Sequence, residues 1–145
     1  MPPANPIRNR ASVVVIHDQC ILGFYAEDPH SKKRYFLLPG GGIEEREDAN
    51  QAAVRECLEE TGYSIRLLPE RKTFRRYDFY WNQTTYDSRT WFFLGELAEA
   101  YRPPGPVTDV DYHRGVAWIP LSLLEETFDY CPAVLDAILK LWAKP

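Results

Sequence analysis

The stretch GGGIEEREDANQAAVRECLEETGY, Gly40 to Tyr63, opens on three glycines after Pro39 and closes on Thr61-Gly62. Between them lies a segment of helical pattern in which Glu56, Glu59 and Glu60 stand at spacings i, i+3 and i+4. On a helix these carboxylates fall within an arc of about 100° on one face. Val54 and Leu58 are expected to point the other way, with Cys57 at the edge between them. Like charges at such spacings destabilise a helix by a few tenths of a kcal/mol. The cluster therefore calls for a counter-charge, which a hard divalent cation with oxygen ligands supplies. A solvated acidic face is the competing explanation. The glycine run and Arg55 favour the cation.

Working outward, Asp48 is placed to N-cap this helix and Gly62 to stop it. Upstream, Ala11–His17 (ASVVVIH) is β-branched and apolar on both faces, the pattern of a central strand. Asp18-Gln19 turns it towards a hairpin partner at Cys20–Ala26, and Arg34–Leu38 is a short strand leading to the glycines. Residues 1–9, with their prolines, read as a flexible lead-in. Downstream, Tyr63–Leu68 reads as a strand broken by Pro69, and the aromatic runs Lys72–Trp81 and Ser88–Leu97 as a long hairpin. Tyr101–Asp111 is proline-rich loop, Val116–Ile119 a last short strand, and Pro120 starts a helical turn. Pro132–Ala143 is an amphipathic helix with Val134, Leu135, Ile138, Leu141 and Trp142 as its apolar stripe. Strands on both sides of an inserted helix, with a second helix at the end, imply an α/β fold whose mixed sheet is covered on two faces.

A length of 145 residues fits one domain, 1–145, with enough chain for a core. The net charge of −4 argues against nonspecific binding to nucleic acid or to an anionic membrane. Cys20, Cys57 and Cys131 are odd in number and widely spaced, so neither a disulfide framework nor a zinc site is expected. The N-terminus lacks the apolar core of a signal peptide, and no apolar run is long enough to span a bilayer. A soluble cytoplasmic domain with reduced thiols is the expectation, with neither membrane nor nucleic acid as partner.

Gly41-x5-Glu47-x7-Arg55-Glu56-Cys57-x-Glu59-Glu60-x-Gly62-Tyr63 resembles the Nudix box, the signature of the Nudix hydrolases. Every glycine, glutamate and arginine of that pattern is present at its spacing. Cys57 and Tyr63 stand where a bulky aliphatic residue is usual, a departure that touches packing rather than chemistry. The box covers about a sixth of the chain, and the strand order around it is similar to the α/β/α sandwich of that family.

The resemblance implies metal-dependent hydrolysis of a pyrophosphate bond in a nucleoside diphosphate linked to another moiety X. X would be further phosphate, a sugar or a second nucleoside. Magnesium or manganese would neutralise the pyrophosphate and activate water. Glu56 and Glu60 would be the core metal ligands, with Glu59 as a third ligand or nearby base and the Gly40 carbonyl as a further donor. Glu47 and Arg55 would bond across the folded loop and hold it to the helix. The box leaves the general base open, since family members use either a box glutamate or an acid from a later loop. Here that loop offers Asp109, Asp111 and His113, of which Asp111 is favoured.

For the substrate, Arg34 precedes the box, and Arg75 and Arg76 follow it among other basic residues. Positive charge around an acidic site suits a polyphosphate. In a regular strand Arg75, Tyr77 and Phe79 share one face, and Arg76, Asp78 and Tyr80 the other. Tyr77, Phe79, Tyr80 and Trp81 are candidate stacking partners for a base. A homodimer through the aromatic hairpin or the N-terminal segment is compatible with the sequence. The rival from another class is a catalytically silent Nudix-fold module that binds a nucleotide. Such modules usually lose one of the acids retained here.

Overall fold

The computed structural model describes residues 4–107 and 111–143. Its spine is β1 (Ile7–His17), which runs parallel to β6 (Thr84–Leu97) from Ile7 to Val15. Along its other edge β1 takes β4 (Gly40–Gly42) at Arg10–Ser12 and then β2 (Cys20–Glu27) at Ile16–His17. β2 in turn pairs with β3 (Arg34–Leu37) and with β7 (His113–Pro120), while β6 pairs with β5 (Ile65–Trp81). The result is a mixed seven-stranded sheet, as the sequence pattern predicts.

Alternation along β1 divides the core into two layers. Ala11, Val13 and Val15 pack with Ala52, Ala53 and Cys57 of α1 (Ala49–Thr61). Val14, on the opposite face, joins Phe92, Leu94 and Ile138 under α3 (Pro132–Trp142). The three valines are fully buried, each worth about 1.5–3 kcal/mol relative to an exposed side chain. In α3 the buried set is Val134, Ala137, Ile138 and Leu141, so Ala137 replaces Trp142, which is exposed. A 3-10 turn, Leu121–Leu123, and the short α2 (Leu124–Thr127) follow Pro120.

Both ends of α1 follow from local chemistry. Asp48 Oδ1 accepts the Gln51 N–H at 2.8 Å, and the Gln51 side chain accepts the Asp48 N–H at 2.9 Å, a reciprocal capping box. Gly62 ends the helix at φ 79°, a conformation that glycine adopts without penalty.

Four expectations need correction. Residues 7–9 are not part of a lead-in: they pair with Asp87–Arg89, and the Asp87 N–H reaches the Pro6 carbonyl at 2.8 Å. Pro69 does not end a strand. β5 continues through it because the ladder skips from Leu68, opposite Leu94, to Lys72, opposite Phe93. Pro69, Glu70 and Arg71 form this bulge, where a missing N–H is tolerated, and Arg71 bonds the Leu141 and Ala143 carbonyls of α3.

The third correction concerns the facing of α1. Leu58 is 50% exposed, whereas Cys57 is fully buried and Glu60 nearly so. The helix thus turns part of its acidic face inward. Lastly, the aromatic hairpin turns on Asn82-Gln83 alone, both at positive φ, so β6 already begins at Thr84.

The hairpin tip is tethered. Buried Asp28 accepts N–H groups from His30 and Ser31 in its own turn and from Asn82 at 2.8 Å. The thiols are free, with Cys57 and Cys131 buried and Cys20 half-buried. Among the described residues, no helix is long and apolar enough to cross a membrane.

Candidate functional site

β4 brings the glycines against the inward face of α1. The Gly40 N–H donates to Glu60 Oε1 at 2.8 Å, tying strand to helix. A Cβ on Gly40 would stand 2.7 Å from the Ala11 carbonyl oxygen, and one on Gly41 would stand 2.5 Å from Glu56 Oε1. Close approach of backbone to carboxylate is therefore what these two positions require.

Arg55 organises the charges on the outer side of the helix. Its Nε and Nη2 grip Glu47 at 2.7 and 2.9 Å, a bidentate pair, and Nη2 also donates to the Gly42 carbonyl at 3.0 Å. Its Nη1 lies between Glu56 at 2.9 Å and Glu59 at 3.3 Å. The expected fold-back of the loop onto the helix is thus present as geometry. Arg55 holds the Glu47 carboxyl down at about 2, helped by the Glu44 N–H.

Glu60 is pushed the other way. Burial raises its carboxyl to about 8, the Gly40 N–H opposes this, and the Glu56 charge adds to it. Burial also raises Glu56, against the pull of Arg55. For both glutamates burial outweighs the opposing pull of the nearby arginines, Arg55 and Arg10 for Glu56 and Arg10 for Glu60. This favours a bound cation or a bound proton.

The donor set suits a hard cation: carboxylates of Glu56 and Glu60, more exposed Glu59, and backbone of the glycine strand. Among the described residues no three acidic, histidine or cysteine side chains already converge as a ligand cluster. Arg55 occupies Glu56 and Glu59 instead. Loading a metal there requires those carboxylates to exchange one cation for another.

Glu56, Glu60 and Gly40–Gly42 line a cavity of about 510 Å³. Its aromatic wall comes from Tyr77, Phe79 and Trp81 of β5, with Tyr112 meeting Trp81 edge-on at 5.7 Å. Tyr130 and Val134 line it from the side of α3. Arg8, Asn9, Arg10 and Ser12 of β1 also line it. The sequence reading assigned Arg8 and Asn9 to a lead-in, began the strand at Ala11 and so gave Arg10 and Ser12 no role. The parity of Arg8, Arg10 and Ser12 with Val14 was the available signal.

Of the residues singled out for substrate binding, Tyr77 is on the cavity wall, and its hydroxyl lies 3.1 Å from Thr90 Oγ1. Tyr80 is not: it is 54% exposed and out of step with Tyr77, Phe79 and Trp81. Arg75 shares their face but is bound to Asp136 of α3 at 2.8 Å. Arg76 lies on the other face, paired with Asp87 at 2.9 Å, and Arg34 is paired with Glu27 at 3.0 Å. None of these three arginines lines the cavity.

Asp111 is exposed and off the cavity wall, while its neighbour Tyr112 is on it. Asp109 lies outside the described residues. His113 is buried in β7 rather than in a loop. Its Nδ1 accepts the Gly115 N–H at 3.1 Å, so Nε2 carries the proton and donates to the Glu60 carbonyl at 2.8 Å. Stacked on Phe24 at 4.6 Å, it fixes the end of α1.

Known proteins resemble this chain in sequence and in fold. The family model described as NUDIX domain matches residues 6–134. The RNA pyrophosphohydrolase of Bartonella quintana is 32% identical over 112 residues, covering 69% of this chain and 65% of that protein. The CMP-5'-(N-acetyl-N-hydroxy-3-aminopropyl)phosphonate hydrolase of Streptomyces rubellomurinus is 31% identical over 114 residues, covering 77% of this chain and 52% of that protein. The matched region thus spans less than two thirds of either relative. Among solved structures, a NUDIX hydrolase from Nitrosomonas europaea superposes with a TM-score of 0.67 at 23% identity, covering 94% of this chain and 88% of that one.

Proposed function

From the premise that this chain belongs to the Nudix hydrolase family, we propose that it hydrolyses a pyrophosphate bond in a nucleoside diphosphate linked to a further moiety. One observation carries the reading: Glu56, Glu60 and the glycine strand line the same cavity as Tyr77, Phe79, Trp81 and Tyr112. Acids that suit a metal-bound polyphosphate and rings that suit a base share one cavity, as a nucleotide requires.

Glu56 and Glu60, with Glu59 and the Gly40 carbonyl, would hold magnesium or manganese. When bound, that ion neutralises the pyrophosphate and makes water a better nucleophile at neutral pH. The aromatic wall stacks the base and fixes the position of the phosphorus. Arg55 and Glu47 hold loop and helix in register, so that the carboxylates stay aimed at the cavity. Glu59, where it serves as base rather than third ligand, takes the proton as the water oxygen bonds to phosphorus. It is more exposed than Glu56 and lies off the cavity wall. The bond from phosphorus to the bridging oxygen breaks, and its electron pair leaves with the departing phosphate.

The test is product formation, read by chromatography of the nucleotides released, from a panel of nucleoside triphosphates, nucleotide sugars, dinucleoside polyphosphates and 5′-triphosphate RNA, with magnesium. Turnover of at least one member is expected, and Glu60→Gln should lower it by at least ~100-fold. Wild type and variant equally inert across the panel would leave a nucleotide-binding module in place of an enzyme. An RNA 5′ end is the second reading, favoured by the identity to the Bartonella quintana RNA pyrophosphohydrolase.

A further inference from the structure

We propose that Arg8 and Arg10 form an anion clamp that selects substrates whose phosphate chain is longer than a pyrophosphate. The proposal rests on the pyrophosphohydrolase reading of the same cavity and narrows it: X is itself phosphorylated rather than a neutral sugar.

Arg8 and Arg10 are two apart on β1, so both side chains leave the same face, and their Cα atoms are about 7 Å apart. Both line the cavity. Among the described residues neither takes part in an ion pair, whereas Arg34, Arg75, Arg76 and Arg114 are each tied to a carboxylate. Arg8 is exposed and Arg10 half-buried, so an entering oxyanion could reach both without first displacing a carboxylate. Arg10 pairs with Gly42 in the β1–β4 ladder, which places it on the strand beside the glycines that contact Glu56 and Glu60.

Arg8 is also preorganised. Its guanidinium carbon stands 3.5 Å above the centroid of the Tyr86 ring, and Tyr86 lies opposite Phe79 in the β5–β6 ladder. Stacking occupies the flat face of a guanidinium and leaves the in-plane N–H groups at its edge. That edge matches a phosphate bidentately. Pyrophosphate bound at Glu56 and Glu60 would therefore extend along β1, past Arg10 to Arg8, if it carried more phosphate. A sugar in that position would leave both cations without a partner.

Binding is measured with the α,β-methylene analogues of adenosine triphosphate and of adenosine diphosphate glucose, whose α,β linkage resists hydrolysis, both with magnesium, by calorimetry and by tryptophan fluorescence. Arg8→Gln and Arg10→Gln should each raise the Kd of the triphosphate analogue about tenfold or more, and the preference over the sugar should fall by a similar factor. Tyr86→Leu should give part of this loss and Tyr86→Phe should restore binding, since the ring is what holds Arg8. Lys140→Gln, which removes a surface charge on α3, controls for net charge and should change neither Kd. In turnover, KM should move more than kcat.

Arginine variants that remain folded and bind the triphosphate analogue like wild type would overturn the clamp. So would equal losses for both ligands. A 5′-triphosphate oligoribonucleotide run alongside separates a free nucleotide from an RNA end; tighter, arginine-dependent binding of either supports the clamp and identifies its source. Arginine-dependent binding without turnover would sink the hydrolase reading and leave the clamp standing. Turnover indifferent to Arg8 and Arg10 would do the reverse.

Discussion

The backbone N–H of Gly40 and the carboxylate of Glu60, twenty residues apart, meet at 2.8 Å and join the glycine strand to the buried face of α1. The contact fixes one acid oxygen at the cavity wall and allows strand and helix no intervening side chain.

Gly40 and Gly41 should therefore fail in different ways. Alanine at 40 meets the Ala11 carbonyl and the Ser12 backbone, which cannot move aside. Gly40→Ala should cost about 1–3 kcal/mol, read as a shift in the denaturation midpoint. Alanine at 41 meets the end of the Glu56 side chain, which can swing away. Gly41→Ala should keep most of the stability but lose up to ~100-fold in kcat through a misplaced carboxylate. A fully active Gly41→Ala would mean that Glu56 need not hold its position.

Glu47 predicts a dependence on acid. Its carboxyl sits at about 2 in the folded chain against an ordinary 4.5, chiefly through Arg55. A folded value below the unfolded one stabilises the fold above the unfolded value, and that contribution is lost as pH falls through the folded one. Urea midpoints of wild type and Glu47→Gln should differ by a constant amount above pH 4.5 and converge as the pH falls towards 2. A gap that persists at pH 2 would show that the Glu47–Arg55 pair is not what the substitution removes.

Tyr63 stands where the family favours an aliphatic residue, and its hydroxyl explains the departure. It donates to the Arg102 carbonyl at 2.7 Å and accepts the Trp118 Nε1–H at 3.1 Å, while Arg102 lies over its ring and bonds the Gly62 carbonyl. Tyr63→Phe should lower stability by about 1–2 kcal/mol, and Tyr63→Leu by more, with the hydrolysis rate below the melting transition retained. A lower rate at unchanged stability would make this contact part of the catalytic geometry.

The ends of α1 and the central strand were legible because each is local chemistry at fixed spacing, whereas the Glu47–Arg55 pair, eight residues apart, was legible only through the family resemblance. The facing of the helix was not legible. Amphipathic reasoning puts carboxylates outside and Leu58 inside, and a site that buries Glu60 inverts that rule. Arg8 and Arg10 were obscured by the prolines before them, which suggested a loop where the β1–β6 pairing makes a strand. The face shared by Arg75, Tyr77 and Phe79 was readable, but the partner of Arg75, Asp136, comes from a helix 61 residues away. No local pattern announces such a pair.

The bulge at Pro69–Arg71 carries a consequence beyond strand bending. Before it, Ile65 and Leu67 point towards α1; after it, Tyr77, Phe79 and Trp81, also odd-numbered, point to the cavity on the opposite side. Three unpaired residues shift the phase of the strand by an odd number, and so exchange its two faces. The bulge is thus a parity switch between the two halves of the strand. Because the Asn82-Gln83 turn pins the ladder at its far end, a residue removed from the bulge would shift Ile65–Leu68 against α1 and leave Tyr77, Phe79 and Trp81 facing the cavity.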